Sequence, residues 1–194
     1  ILLTRFRQSA SMLIDTSPNN NFDWLFLMQH YGVSTRLLDW SESDLASLYF
    51  SISEEEHLLA DGALWMLKPI ELNKLANIND DNKHYIPSFD DDFLKNYDIE
   101  SLKVNSRVKM NPIATIATRN NARIQAQQGV FTIHHLEKKP LEEYCEMNQQ
   151  IFKYRIPKES KENLKKELAL LSFNRFSLFP ELSSIGLLLK DKRI

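Results

Sequence analysis

The stretch Gln29-His30-Tyr31-Gly32-Val33-Ser34-Thr35-Arg36-Leu37-Leu38-Asp39-Trp40 sets eight hydrogen-bonding or titratable side chains within twelve residues, between two apolar segments. Upstream, Asn21 is placed to cap a helix in which Trp24, Leu25, Phe26, Leu27 and Met28 are apolar on nearly every face, the pattern of a core helix. Gly32 supplies the left-handed position that ends such a helix at little cost. Downstream, Ser41 and Asp44 have the spacing of a capping box, and Leu45, Leu48 and Tyr49 share one face of a helix expected to run to about Ser53. Polar density inside apolar brackets marks a cleft. The alternative is structural: Arg36 pairs with Asp39 to brace the turn, while His30 and Ser34 satisfy helix-end groups.

Outward from this stretch, Thr4 to Leu13 reads as a helix carrying Phe6, Met12 and Leu13, followed by the turn signal Ser17-Pro18-Asn19-Asn20. Asp61-Gly62 is a turn, and Ala63 to Leu67 is short and uniformly apolar, as in a buried strand. Pro69 suits the first turn of a short helix through Leu75. From Asn77 to Met110 the pattern weakens into a long, partly ordered excursion. Its runs Asp80-Asp81-Asn82 and Asp90-Asp91-Asp92 read as solvated loop, because a calcium loop alternates its ligands and needs a glycine at its turn. Strands follow at Ile113–Ala117, Val130–His134 and Gln150–Ile156, with a helical segment over Asn120–Gln128 between the first two. Lys158 to Leu171 is amphipathic, with Lys161, Lys165 and Lys166 among Glu159, Glu162 and Glu167 on a solvated face. Pro180 opens a last helix. This order predicts an α+β fold in one domain over 1–194, with a central, mostly antiparallel or split sheet flanked by helices.

Composition removes several functions. At 194 residues and 43% hydrophobic content the chain can bury a core of its own. A net charge of -2 argues against general affinity for nucleic acid, which requires clustered Lys and Arg. Apolar runs stop well short of the roughly 18 residues a membrane span needs, and Ile1 to Ala10 lacks the order of a signal peptide, so a cytoplasmic protein without a membrane partner is expected. Cys145 is the single cysteine, which excludes an intrachain disulfide and a cysteine-rich zinc site. Four glycines cannot build a P-loop or a Rossmann fingerprint. His134 and His135 point opposite ways on a strand, and Glu54-Glu55-Glu56-His57 lacks the histidine pair of a zinc protease helix, so no metal is expected.

Gln29 to Trp40, followed by Ser41, Leu45, Ala46, Tyr49 and Phe50, resembles the core signature of the FRG domain family. Ala122-Arg123-Ile124 through Ala126-Gln127-Gln128-Gly129-Val130-Phe131, and then Ser177-Leu178-Phe179-Pro180-Glu181-Leu182, resemble the family's second and third blocks in the same order. The Phe-Arg-Gly tripeptide that names the family is not in the sequence, and Phe6-Arg7-Gln8 is no substitute; the expectation is that this chain begins after it.

The block order is similar to the plan of ADP-ribosyltransferases, which implies NAD, as substrate, in a cleft of a split sheet. On that resemblance Thr35 with Ser34 would contact ribose, and Tyr31 or His30 would face nicotinamide. Arg36 and Asp39 would complete the cofactor-binding set. Gln128 or Gln127 would stand where the late residue of the family belongs, making Thr35 and Gln128 the catalytic candidates. The chemistry needs stabilisation of an oxocarbenium-like transition state. Glutamine cannot serve as a general base, so the resemblance implies either weakened transfer or nucleotide binding alone. The implied setting is a bacterial effector of phage defence or toxin type. The alternative class is a non-catalytic interaction domain with a protein partner, in which Arg36 and Asp39 are buried and paired.

Overall fold

The computed structural model describes residues 1–14, 17–78, 85–105, 107–116, 121–147 and 149–191. In chain order these form α1 (Leu2–Ala10), α2 (Asn21–His30), β1 (Leu37–Ser41), α3 (Asp44–Ser53), β2 (Gly62–Leu67), α4 (Pro69–Leu75) and α5 (Ile99–Val104). There follow β3 (Ile113–Thr115), α6 (Ala122–Ala126), β4 (Gly129–Ile133), β5 (Ile151–Ile156), α7 (Lys161–Leu170), α8 (Arg175–Leu178) and α9 (Leu182–Asp191). The fold is α+β, as the pattern predicts, with one sheet ordered β1-β4-β3 and another pairing β2 with β5. β3 and β4 are antiparallel, as are β2 and β5. β1 and β4 are framed by His134 N–H to Arg36 C=O at one end and Glu42 N–H to Gln128 C=O at the other, the reciprocal numbering of an antiparallel pair. The chain forms two compact units: Ile1–Leu38, Pro69–Ile116 and Phe131–Tyr144 make the first, and Asp39–Lys68, Ala117–Val130 and Cys145–Ile194 the second.

In the first unit, α2 buries Phe22, Trp24, Leu25 and Met28. Its cap is Asn20, whose side chain accepts from the Asp23 N–H, and not the expected Asn21. Asn21 accepts instead from Arg7 at 2.7 Å and donates to the Asp98 carboxylate, which ties together chain segments far apart in sequence. α1 ends at Ala10, earlier than expected, and leaves Met12 and Leu13 exposed. Phe6 meets Trp24 edge to face, and Phe22 and Phe26 converge on Phe89.

The region expected to be partly ordered contributes core. A 3-10 turn at Asp92–Tyr97 and α5 bury Leu94, Tyr97 and Leu102, apolar side chains spaced too unevenly to register as a period. Asp91 accepts from the Tyr85 hydroxyl and the Ser88 N–H, which gives it a structural task; Asp90 and Asp92 are exposed. Asp80-Asp81-Asn82 lies outside the described residues. α4 spans the expected residues and buries Asn73, whose amide both donates to and accepts from the backbone of Ala114 in β3. Two bonds to one residue satisfy that buried amide as a strand would.

In the second unit, α3 is capped by Ser43, not by Ser41. Ser41 closes β1 and donates to the Gln127 carbonyl at 2.7 Å. Ile52, Ile156 and Leu168 form a core under α3, β5 and α7, with Leu45, Leu48, Tyr49 and Leu64 against it. β2 is half-buried rather than buried, with Met66 44% exposed, because its one strand neighbour covers it only in part. Gly62 begins it where a Cβ would stand 2.6 Å from the Ser51 carbonyl oxygen. Lys161 departs from the expected solvated face: it is buried, and its ammonium donates to the His57 carbonyl at 2.9 Å. Glu162 and Lys166 do form an exposed pair. α8, opened by an Asn174/Ser177 capping box, precedes α9. Among the described residues no helix is long and apolar enough to cross a membrane.

Candidate functional site

α2 ends in a turn that fixes the residues after it. Gly32, at φ +73°, bonds its N–H to the Gln29 carbonyl, and the Val33 N–H reaches the Met28 carbonyl, the two bonds of a Schellman motif. The turn leaves Tyr31 65% exposed, with its ring edge to face with His30 at 4.9 Å between centroids. Ser34 is also exposed.

The next two residues face inward. Thr35 Oγ1 donates to Gln29 Oε1 at 2.5 Å and accepts from the Leu37 N–H at 3.0 Å, while Gln29 Nε2 donates to the Leu37 carbonyl. One glutamine at the end of α2 thereby clamps the start of β1. Arg36 donates from Nη2 to the Tyr97 carbonyl at 2.7 Å and from Nη1 to the His134 carbonyl at 3.0 Å. Burial lowers its pKa to about 10, with Asp98 acting the other way. It stays a cation at neutral pH. The expected buried Arg36–Asp39 brace is not what forms: Arg36 spends its donors on carbonyls, and Asp39 is exposed. Carbonyls of Tyr97 and His134 win because they are already fixed by the 3-10 turn and the end of β4, so only the guanidinium has to be ordered.

Around Arg36 sits a group of aromatic and imidazole rings, of which the sequence reading weighed only His134 and His135, as metal ligands. Tyr97 is fully buried, donates its hydroxyl to the Asn111 carbonyl at 2.6 Å, and meets His135 edge to face at 5.3 Å. Burial raises the Tyr97 pKa well above the usual phenol range. His135 is 5% exposed, and burial lowers its pKa, as it does that of His134. The available signal was the run Phe131-Thr132-Ile133-His134-His135, in which two histidines follow a core strand; they serve packing and Arg36. Among the described residues, no group of three or more His, Cys, Asp or Glu stands where it could hold a metal ion.

The remaining candidates belong to the second unit. Gln127 donates its amide to the Leu178 carbonyl at 3.0 Å and accepts from Ser41 at its own carbonyl, so its side chain has a structural task. Gln128 is exposed and sits at φ +47°, its N–H bonded to the Gln125 carbonyl and its C=O to the Glu42 N–H. Glutamine pays for that left-handed backbone with strain that glycine would not carry.

The family model of the FRG domain matches residues 1–58, which take in α1, α2, β1, α3 and the whole polar stretch from Gln29 to Trp40. The segments 122–131 and 177–182 lie beyond the matched residues. No curated protein and no solved structure matches the chain.

Proposed function

We propose that the FRG segment is a nucleotide-binding module whose ligand is NAD, with ADP-ribosyl transfer as the reaction class if turnover occurs. The observation that carries this reading is the ring pair of the exposed Tyr31 and the half-buried His30, held by the Schellman turn beside the exposed Ser34. Tyr31 offers a stacking face for nicotinamide and Ser34 a hydroxyl for ribose, both on a loop clamped before the ligand arrives. Thr35 and Arg36 then act on the ligand by holding that loop. Gln128, the late residue of the resemblance, cannot remove a proton, which favours slow transfer or binding alone. The setting this chemistry fits is a bacterial defence or toxin effector.

The test is calorimetric titration of the full chain with NAD, beside an assay of nicotinamide release. Tyr31→Ala and Ser34→Ala should each weaken binding by about tenfold with an unchanged melting temperature, since both residues are exposed. Failure of the folded wild-type chain to bind NAD sinks the reading.

A second reading, a non-catalytic interaction domain, is favoured by one observation: the Thr35 hydroxyl and the Arg36 guanidinium are spent on internal partners. It predicts that Arg36→Ala lowers stability and has no effect on NAD beyond that loss.

A further inference from the structure

In the second unit, two arginines meet one ring. The Arg123 guanidinium lies 4.6 Å from the Phe179 ring centroid and that of Arg175 lies 5.3 Å from it, so the two cations are no farther apart than those distances together. Phe50, exposed on α3, stands edge to face with Phe179 at 5.8 Å and with Tyr49 at 6.0 Å. These residues come from α3, α6 and the α8 region.

One arginine over a ring needs no further explanation, because the ring quadrupole attracts it. A second one on the same ring brings like-charge repulsion, and among the described residues neither guanidinium forms an ion pair with a carboxylate. Arg175 is also the first residue of α8, the helix end at which positive charge is disfavoured. Glu54 and Arg175 act in opposite directions on the Tyr49 phenol. Burial keeps the Tyr49 phenol protonated far above neutral pH, so it remains a donor. The arrangement is two planar donor forks and a hydroxyl around aromatic surface, with no carboxylate ion-paired to either fork among the described residues.

We propose that Arg123, Arg175, Tyr49 and the Phe50–Phe179 ring pair form a binding site for a nucleoside diphosphate. Two separate guanidinium forks match two phosphoryl groups, since each fork presents paired N–H donors in the geometry of phosphate oxygens. The exposed Phe50 ring gives the base a surface to stack on, a contact that tolerates any base. The inference does not rest on the nicotinamide reading of Tyr31 and Ser34, and its probes contain no nicotinamide.

The experiment is titration of the full chain with ADP, inorganic pyrophosphate and adenosine at low salt, with melting curves of each variant without ligand. ADP and pyrophosphate should bind and adenosine should not. Arg123→Ala and Arg175→Ala should each weaken ADP by about tenfold or more, and Arg175→Lys should restore only part, because it keeps the charge and loses the fork. Phe50→Ala should weaken ADP and leave pyrophosphate unchanged. Unliganded Arg175→Ala should melt at the same temperature as the wild type or higher, since removing the cation relieves repulsion. The inference is overturned if the folded chain binds neither ADP nor pyrophosphate. It is equally overturned if Arg175→Ala lowers the melting temperature while ADP affinity is unchanged, the result of a purely structural cation–ring contact.

Discussion

Thr35 and Gln29 hold each other: the threonine hydroxyl donates to the glutamine carbonyl oxygen, while the glutamine amide reaches past it to the Leu37 carbonyl. The same hydroxyl accepts from the Leu37 N–H, so both its donor and acceptor capacities are in use. This makes Thr35 the pin of the passage from α2 into β1; on the proposed NAD reading, its effect on the ligand would travel through Tyr31 and Ser34.

Thr35→Val keeps the shape and removes the hydroxyl, leaving Gln29 Oε1 and the Leu37 N–H without the Thr35 partner. The expected loss is about 1–3 kcal/mol of unfolding free energy, the usual cost of stranding a half-buried polar group. Thr35→Ser should recover most of it. Urea denaturation of the three proteins measures this, and equal midpoints for valine and wild type would remove the clamp from the account.

His135 gives the protein an acid-side weakness. It is nearly fully buried, and among the described residues its Nδ1 has no hydrogen-bond partner. Burial lowers its pKa, the nearby Arg36 adds to that, and a bond to the Asn96 backbone works against both. His134 is lowered as well, again chiefly by burial. With folded pKa values below the ordinary histidine value, the unfolded chain binds more protons in the window between them. Stability is therefore full above about pH 7 and falls as pH drops through that window, by up to about 1.4 kcal/mol per pH unit for each histidine. His135→Phe, which retains a ring against Tyr97, should flatten part of the slope and leave the share of His134. Denaturation midpoints at pH 7.5 and pH 5 decide it; identical slopes in both proteins would exonerate His135.

Much of the fold could be read locally, and what could not shares a cause. α4 is bounded by Pro69 at its first turn, and β5 alternates until Pro157 stops it, so both could be placed from their own residues. Asn20 and Asn21 are equally good caps by type, and only the reach of Asn21 to Arg7 and Asp98 separates them. Leu94 and Tyr97 looked like loop residues because their burial comes from segments distant in sequence; Tyr97 bonds Asn111 and supports Arg36. The polar stretch from Gln29 to Asp39 was visible as a concentration of chemistry. Which way Arg36 pointed was not, since its carbonyl partners lie 61 and 98 positions away. Arg123 and Arg175 lie in separate sequence segments, and only the fold brings both to Phe179.

Gly62 is required by crowding, not by its backbone angle. A Cβ there would lie 2.6 Å from the Ser51 carbonyl oxygen, and that oxygen is held in the last turn of α3. Gly62→Ala therefore has to push α3 from β2 or twist the strand at its first residue, at a cost of about 1–3 kcal/mol. Thermal melting checks it. A variant as stable as wild type would mean that the approach of Ser51 relaxes freely, whereas Gly129→Ala, whose Cβ would meet the Ile124 methyl at 3.3 Å, has a side chain that can yield and should cost less.

Gln128 separates strain from function. Its φ of +47° is left-handed, where a side chain costs about 1 kcal/mol or more relative to glycine, offset in part by the greater freedom glycine has when unfolded. Its side chain is exposed, and its backbone bonds to Gln125 and Glu42 survive substitution. Gln128→Gly should thus be neutral or stabilising by up to about 1 kcal/mol, while the β-branched Gln128→Val should destabilise by about 1 kcal/mol or more. If the glutamine takes part in ADP-ribosyl transfer, the glycine variant loses nicotinamide release while its melting temperature holds or rises. If release survives, Gln128 is a strained turn residue whose side chain has no catalytic share, and the late-residue assignment falls even where NAD binding stands.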